Sequence, residues 1–119
     1  MDTDGTHIIA DLWFDKPLVD NWADLISDAL LGPGKMAILR ITHYNFEPQG
    51  ESWVWLLAES HCSAHTYPEH NYLALDIYGC GKGEPVVAYY AIEEALQPVH
   101  KQFQVLARGI DARPQANAA

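Results

Sequence analysis

Five stretches of the chain carry branched and aromatic residues in the short runs that are typical of β-strands. Two segments rich in turn-forming residues, 67–71 and 81–84, follow the third and fourth of these runs. The predicted strands are residues 7–14, 35–44, 53–58, 72–78 and 100–108.

Two further stretches repeat apolar residues with the period of an α-helix. Asp20 can cap the first helix, and Gly32-Pro33-Gly34 ends it. Pro85 suits the first turn of the second helix, because a proline there gives up no hydrogen bond. The first apolar stripe comprises Trp22, Leu25, Ile26, Ala29 and Leu30, and the second comprises Val86, Val87, Tyr90, Ala91, Ile92 and Ala95.

The resulting order, β-α-β-β-β-α-β, indicates an α+β fold in which an antiparallel sheet carries both helices on one face. Such a two-layer sandwich leaves the other face of the sheet without a cover, which a second copy of the chain could provide. We therefore expect a single domain over residues 1–119 that forms a homodimer, with 112–119 as a loose tail.

Acidic residues outnumber basic ones, which argues against a nucleic-acid partner. Seven Lys and Arg stand against sixteen Asp and Glu, for a net charge of −9, whereas nucleic-acid sites need basic patches. This balance is compatible with a small cationic substrate. No apolar run reaches the length of a membrane span, and residues 1–6 do not form a signal peptide. We expect a cytoplasmic protein without a membrane partner.

Two cysteines, Cys62 and Cys80, are too few for a disulfide framework. One of them is better interpreted as a reactive thiol. His61, His65 and His70 lie near them in sequence, but the spacings fit no standard zinc pattern, so we expect no metal.

The segment 56–69 is the most informative part of the chain and reads Leu-Leu-Ala-Glu-Ser-His-Cys-Ser-Ala-His-Thr-Tyr-Pro-Glu. It resembles the self-cleavage segment of the small prokaryotic S-adenosylmethionine decarboxylases, A-E-S-H-x-S-x-H-T-W-P-E followed downstream by C-G. Cys80 and Gly81 match that downstream pair. The resemblance extends over roughly residues 5–110 and includes Phe46, Pro48, Gly50 and Ser52.

The resemblance implies that the chain cuts itself between Glu59 and Ser60, giving a β chain of residues 1–59 and an α chain of residues 60–119. Ser60 would become a pyruvoyl group, a carbonyl that forms a Schiff base with the substrate amine and accepts electrons during decarboxylation. No lysine has a recognisable pyridoxal phosphate context, and no glycine loop resembles a phosphate cradle. We therefore expect no pyridoxal phosphate.

The resemblance also implies roles for individual side chains. His65 would serve the cleavage reaction, with Ser52 as a second processing hydroxyl. Cys80 would return a proton to the α-carbon after carbon dioxide leaves. Phe46 and Tyr67 would surround the adenine of S-adenosylmethionine and Glu69 would hold its ribose hydroxyls. The product would feed spermidine synthesis.

Departures from the family pattern leave two other functions open. Tyr67 replaces a tryptophan, and Trp53 stands where the family commonly has glycine. If the indole fills the pocket, the same chemistry could act on a smaller basic amino acid such as ornithine or arginine. The chain could also be an uncleaved, inactive relative that binds ligand or regulates a partner.

The predicted strands pose a geometric problem for the site. If residues 53–60 and 72–80 formed a plain hairpin, Cys80 would lie opposite Ser52 and roughly 26 Å from Ser60. Proton donation requires contact. Residues 60–66 must therefore double back, or the two strands must not pair in this way.

Overall fold

One antiparallel sheet of six strands, in the order β2-β3-β4-β5-β1-β6, carries two helices on one face. The computed structural model describes residues 3–114, and the predicted α+β sandwich is confirmed. The elements are β1 (Gly5–Trp13), α1 (Trp22–Leu31), β2 (Ile38–Asn45), β3 (Glu51–Leu57), β4 (Ser60–Tyr67), β5 (Tyr72–Cys80), α2 (Pro85–Leu96) and β6 (His100–Arg108).

The sequence prediction missed β4, which contains most of the cleavage motif. Cys62, Ala64 and Thr66 point into the core, while the residues between them are polar and lie on the opposite face. This period of two is typical of a half-buried strand. The small and polar side chains concealed it, because they lack the branched and aromatic residues that usually mark strands.

The extra strand resolves the problem of the plain hairpin. β5 pairs with β4 and β1, while β3 pairs with β4 on the other side. The chain reverses after Leu57 and again after Tyr67, so β4 returns between its neighbours. Cys80, at the end of β5, therefore lies beside the start of β4 instead of opposite Ser52.

Both helices differ in detail from the prediction. Asn21, not Asp20, precedes α1, and its side chain makes no capping hydrogen bond. In α2, Val87 and Tyr90 of the predicted apolar face are 44% and 51% exposed. The residues that α2 buries are Pro85, Ala88, Tyr89, Ile92 and Leu96.

A close contact explains the rotation of α2. Apolar residues occur around most of that helix, so their spacing alone does not define one face. Pro85 packs directly over Gly79 of β5, where a Cβ atom would lie 2.9 Å from the Pro85 Cγ. This contact requires glycine at position 79 and orients the start of the helix on the sheet.

The core lies between the helices and the inner face of the sheet. Trp55 and Tyr89 are the largest side chains with no exposed surface, and Trp55 Nε1 donates a hydrogen bond of 2.8 Å to Ser27 Oγ on α1. Burial of each aliphatic side chain in this core contributes about 1.5–3 kcal/mol to the stability of the fold. The central aliphatic residues are Ile8, Leu12, Ile26, Leu30, Leu57, Leu73, Ile77 and Ile92.

We call the sheet surface opposite the helices the open face. Its apolar side chains are uncovered, with Ile9, Val54 and Leu56 between 43% and 48% exposed. Exposed apolar patches of this sort mark interaction surfaces. Within residues 3–114, no helix is long and apolar enough to span a membrane. The predicted tail lacks regular structure at 112–114, and its remainder, 115–119, lies outside the described residues.

A hydrogen-bonded network centred on Asp76 links four strands across the open face. Ser63 donates to Asp76 Oδ1, while His7 Nε2 and His61 Nε2 lie 2.6 and 3.3 Å from Asp76 Oδ2. Arg108 Nη1 lies 3.2 Å from His7 Nδ1 and can only donate. His7 therefore carries its proton on Nε2 and donates it to Asp76.

The network lowers the pKa of Asp76. Partial burial alone would raise the pKa of this carboxyl, but the hydrogen bonds from Ser63 and His7 and the interaction with His61 outweigh it. A carboxylate with a lowered pKa stabilises the fold above its unfolded pKa. That stabilisation is lost as the pH falls through the folded pKa.

We predict that Asp76→Asn destabilises the protein by about 2 kcal/mol near neutral pH, because hydrogen bonds to a charged group contribute about 1.5–3 kcal/mol. Urea unfolding at neutral pH and at about pH 2 measures this, and the gap to the wild type should shrink in acid as the pH falls through the lowered pKa of Asp76. Asp15→Asn, at an exposed position, serves as the control. An equal gap at both pH values would contradict the role of the carboxylate.

Candidate active site

The predicted cleavage bond lies at a tight turn between β3 and β4. Leu57 pairs with Ser60, so only Ala58 and Glu59 connect the strands. Glu59 has a φ of 67°, in the left-handed region where a residue with a Cβ atom costs roughly 1–2 kcal/mol. Such outliers concentrate at functional sites. The peptide bond that follows Glu59 therefore belongs to a strained segment.

Ser60, the predicted nucleophile, is the first residue of β4. Its hydroxyl lies 3.3 Å from the carbonyl oxygen of Ala58 and donates to it. Attack on the neighbouring Glu59 carbonyl carbon would require only a rotation of this side chain, because both groups belong to the same turn.

The thiol of Cys80 contacts the carbonyl group of the same bond. Cys80 Sγ lies 2.7 Å from the carbonyl oxygen of Glu59 and donates to it. The next residue, Gly81, has a φ of 70°, and a Cβ atom there would lie 2.5 Å from Glu59 Oε2. The Cys-Gly pair thus lets the chain turn away while the thiol stays on the cleavage site.

A cavity of about 420 Å³ opens at this end of the sheet. Glu59 and Cys80 line it, together with Lys35 from the α1–β2 connection and Lys82 from the β5–α2 connection. Neither lysine was singled out by the sequence analysis, because only the fold brings these two loops to one place.

Ser52 and His65 form a hydrogen-bonded pair away from this turn. They stand opposite each other on β3 and β4, and Ser52 Oγ lies 2.6 Å from His65 Nδ1. In the tautomer with its proton on Nε2, the imidazole accepts the serine proton at Nδ1. A general base needs this arrangement.

The predicted substrate residues surround this pair. Phe46, Tyr67 and Glu69 line a cleft of about 280 Å³ together with Ser52 and His65. Phe46 and Tyr67 are 49% and 45% exposed, so both rings are available for stacking. The cleft also includes Gln49, Gly50, Glu51 and Thr66, of which the sequence analysis named only Gly50.

The two groups of predicted residues lie at opposite ends of β4. His65 follows Ser60 by five residues, a distance of about 16 Å along a strand. Glu59, Ser60 and Cys80 thus form one group, while the Ser52–His65 pair belongs to the other. A single protomer does not bring the nucleophile and the base together.

Trp53 does not enter the cleft beside Ser52. It lies on the helix side of β3, where its ring stacks on His43 at 4.3 Å and meets Trp22 edge-on at 5.7 Å. Its Nε1 donates to Glu51 Oε1 at 3.0 Å. The steric reason for expecting a smaller substrate is therefore removed.

The residues considered for zinc are spread from β4 through the turn at His70 to the end of β5. Cys62 is fully buried in the core, where burial and the nearby charge of Asp76 raise its pKa well above the usual value. Such a thiol is unreactive. Cys80 is partly exposed, so it is the accessible thiol of the two. It lies at the end of the sheet, whereas His65 lies at the opposite end of β4.

Comparison with known proteins matches this chain to one family. The family model for S-adenosylmethionine decarboxylase matches residues 6–109. The S-adenosylmethionine decarboxylase proenzyme of Geobacillus kaustophilus is 39% identical over 114 residues, covering 92% of this chain and 91% of that protein. The corresponding proenzyme of Oceanobacillus iheyensis is 36% identical and covers 96% of both chains.

A solved structure shows the same fold. The crystal structure of the adenosylmethionine decarboxylase from Aquifex aeolicus superposes with a TM-score of 0.76 at 35% identity, covering 97% of this chain and 98% of that one. With the sequence matches, this superposition leads to one conclusion: the chain belongs to the S-adenosylmethionine decarboxylase family.

Proposed function

We propose that this protein is a carboxy-lyase that cleaves itself between Glu59 and Ser60 and then decarboxylates S-adenosylmethionine. Its product would serve spermidine synthesis in the cytoplasm. The observation that carries the proposal is the contact of Cys80 Sγ with the Glu59 carbonyl oxygen, 2.7 Å long, at a strained turn. The names of the relatives supply the substrate.

The residues at the turn are suited to the cleavage reaction. The Cys80 thiol donates to the Glu59 carbonyl oxygen and so polarises the carbonyl carbon that Ser60 would attack. A serine hydroxyl is a weak nucleophile and needs a base to accept its proton. His65, hydrogen-bonded to Ser52 at the other end of β4, would provide an imidazole for that task from a second copy of the chain.

The same surroundings fit a pyruvoyl group formed from Ser60. This group supplies a carbonyl that accepts the electrons of the bond to the departing carbon dioxide. Cys80, beside this position, holds the proton that the α-carbon then requires. Phe46 and Tyr67 would stack on adenine and attract the sulfonium cation, while the Glu69 carboxylate would accept hydrogen bonds from the ribose hydroxyls.

A homodimer with shared active sites would unite the two groups of residues. If two open faces pack about a two-fold axis across the middle of β4, the Ser52–His65 end of one copy lies over the Ser60 end of the other. Packed sheets are about 10 Å apart, so long side chains can meet between them. The exposed side chains of Ile9, Val54 and Leu56 support burial of this face.

We predict that wild-type protein separates into fragments 1–59 and 60–119, whereas Ser60→Ala stays intact. The alanine variant lacks the oxygen that must attack the Glu59 carbonyl. Intact mass spectrometry under denaturing conditions measures this, and it should also find a pyruvoyl end on residue 60. Wild-type protein that remains uncut for days would contradict the proposal and favour an inactive relative.

We predict that Cys80→Ala lowers carbon dioxide release from S-adenosylmethionine by about 10²–10⁴-fold in protein that has been cleaved, because the proton donor is missing. Cys62→Ala is the matched control, since it removes the buried thiol instead. Release of carbon dioxide from labelled ornithine or arginine, but not from S-adenosylmethionine, would contradict the proposal that S-adenosylmethionine is the substrate.

Co-expression of two inactive variants tests the shared site. Ser60→Ala keeps His65, and His65→Ala keeps Ser60, so neither chain alone holds both groups. In a mixed dimer one of the two sites regains both, and we predict that the His65→Ala chain is then cleaved. Differently tagged chains allow mass spectrometry to identify which one is cut. Cleavage of His65→Ala expressed alone, or none in the mixture, would contradict a shared site.

A further inference from the structure

The oxygen atom that Cys80 contacts has a definite fate if the chain cleaves itself. Ser60 Oγ attacks the Glu59 carbonyl carbon, the bond to the Ser60 nitrogen breaks, and an ester forms. Loss of the Ser60 α-proton then breaks the Cβ–Oγ bond, and Oγ leaves with Glu59. Water finally replaces the nitrogen on residue 60, which departs as ammonia.

Glu59 therefore ends as a carboxylate built from its original carbonyl oxygen and the former Ser60 Oγ. The original oxygen is the one that lies 2.7 Å from Cys80 Sγ. A neutral acceptor in the precursor becomes a negatively charged acceptor in the mature protein, at the same place.

We infer that the α-carboxylate created on Glu59 stays against Cys80 and holds that thiol in its protonated form. This inference rests on the proposed function. Thiol donors to a carboxylate make a charge-assisted hydrogen bond, and a thiolate beside the same carboxylate would face a like charge. A proton donor must retain its proton until the substrate needs it. Cleavage would thus create the pyruvoyl group as the electrophile and keep the Cys80 thiol protonated as the acid.

Two lysines and the Glu59 side chain are the charged groups that line the cavity. Lys82 lines it two residues after Cys80, and Lys35 lines it from the α1–β2 connection. Lys35 Nζ lies 3.2 Å from Glu84 Oε2, so this lysine already has an acidic partner. The Glu59 side chain is the other carboxylate here, close to Gly81. Lys82, next to Gly81 on the same wall, is therefore the lysine expected to moderate the new charge.

The neighbour of Cys80 away from the cavity is β1. Gly5 of β1 pairs with Cys80, and the Tyr78 ring covers Gly5, where a Cβ atom would lie 2.9 Å from the Tyr78 hydroxyl. Arg108, on the far side of Gly5, stacks over that ring at 4.8 Å.

Alkylation of Cys80 as a function of pH tests the inference. Cleaved wild type and uncleaved Ser60→Ala receive short pulses of iodoacetamide, and peptide mass spectrometry quantifies labelling at each cysteine. We expect half-maximal labelling of Cys80 about one pH unit higher in the cleaved protein, or about tenfold slower labelling near pH 8. Cys62 should stay unlabelled in both, because it is fully buried.

Two further samples identify the source of the difference. Borohydride reduction of the cleaved protein converts the pyruvoyl cap to a lactyl cap and leaves the Glu59 carboxylate, so the difference should persist. Lys82→Met should enlarge the difference in Cys80 labelling between the cleaved protein and Ser60→Ala. Lys82→Arg should restore the wild-type labelling profile.

The outcomes separate this inference from the proposed function. Cleavage and decarboxylation with the same labelling profile as Ser60→Ala would overturn the inference alone. A difference that disappears on borohydride reduction would assign it to the pyruvoyl group and also overturn the inference. A wild type that shows no cleavage in its intact mass would overturn both, because no Glu59 carboxylate would form.

Discussion

The turn between β3 and β4 is the constraint on which the rest of the site depends. With only Ala58 and Glu59 in the connection, Leu57 must face Ser60, and this register decides which β4 side chains enter the core. A shift by one residue would exchange the buried and open faces of the strand. The same turn places the Glu59 carbonyl at the sheet end, where β5 delivers Cys80. The same two-residue turn thus determines the register of β4, contains the strained backbone of Glu59 and positions the carbonyl group that Cys80 contacts.

Much of the fold could be predicted from hydrophobic spacing, because strands and helices that bury branched residues carry a strong signal. The strand at residues 60–67 was not predicted, since its buried positions hold only cysteine, alanine and threonine. The rotation of α2 escaped for a different reason. Its apolar residues surround the helix, and the contact of Pro85 with Gly79, a residue of β5 outside the helix, determines the face. Local periodicity contains no information about such a contact.

The candidate site was predictable as a set of residues but not as an arrangement. The motif pointed to the residues of both groups, yet it assigned Ser60 and His65 to one reaction, whereas about 16 Å of β4 separates them within a protomer. Knowledge of the extra strand would have been enough to see this. The Asp76 network was also missed, because its members lie on four strands that are far apart in sequence. Lys82 gained meaning only from the cavity that it lines.

The order of the strands gives cleavage a consequence for the lifetime of the folded state. Residues 1–59 would supply β1, β2 and β3, and residues 60–119 would supply the other strands, yet β1 lies between β5 and β6. The two pieces are interleaved, so neither can leave without breaking ladders on both sides of β1. Once unfolded, they could reassemble only by a bimolecular encounter, at a rate that falls with dilution. Maturation would exchange a precursor that refolds alone for an enzyme that persists by kinetic stability.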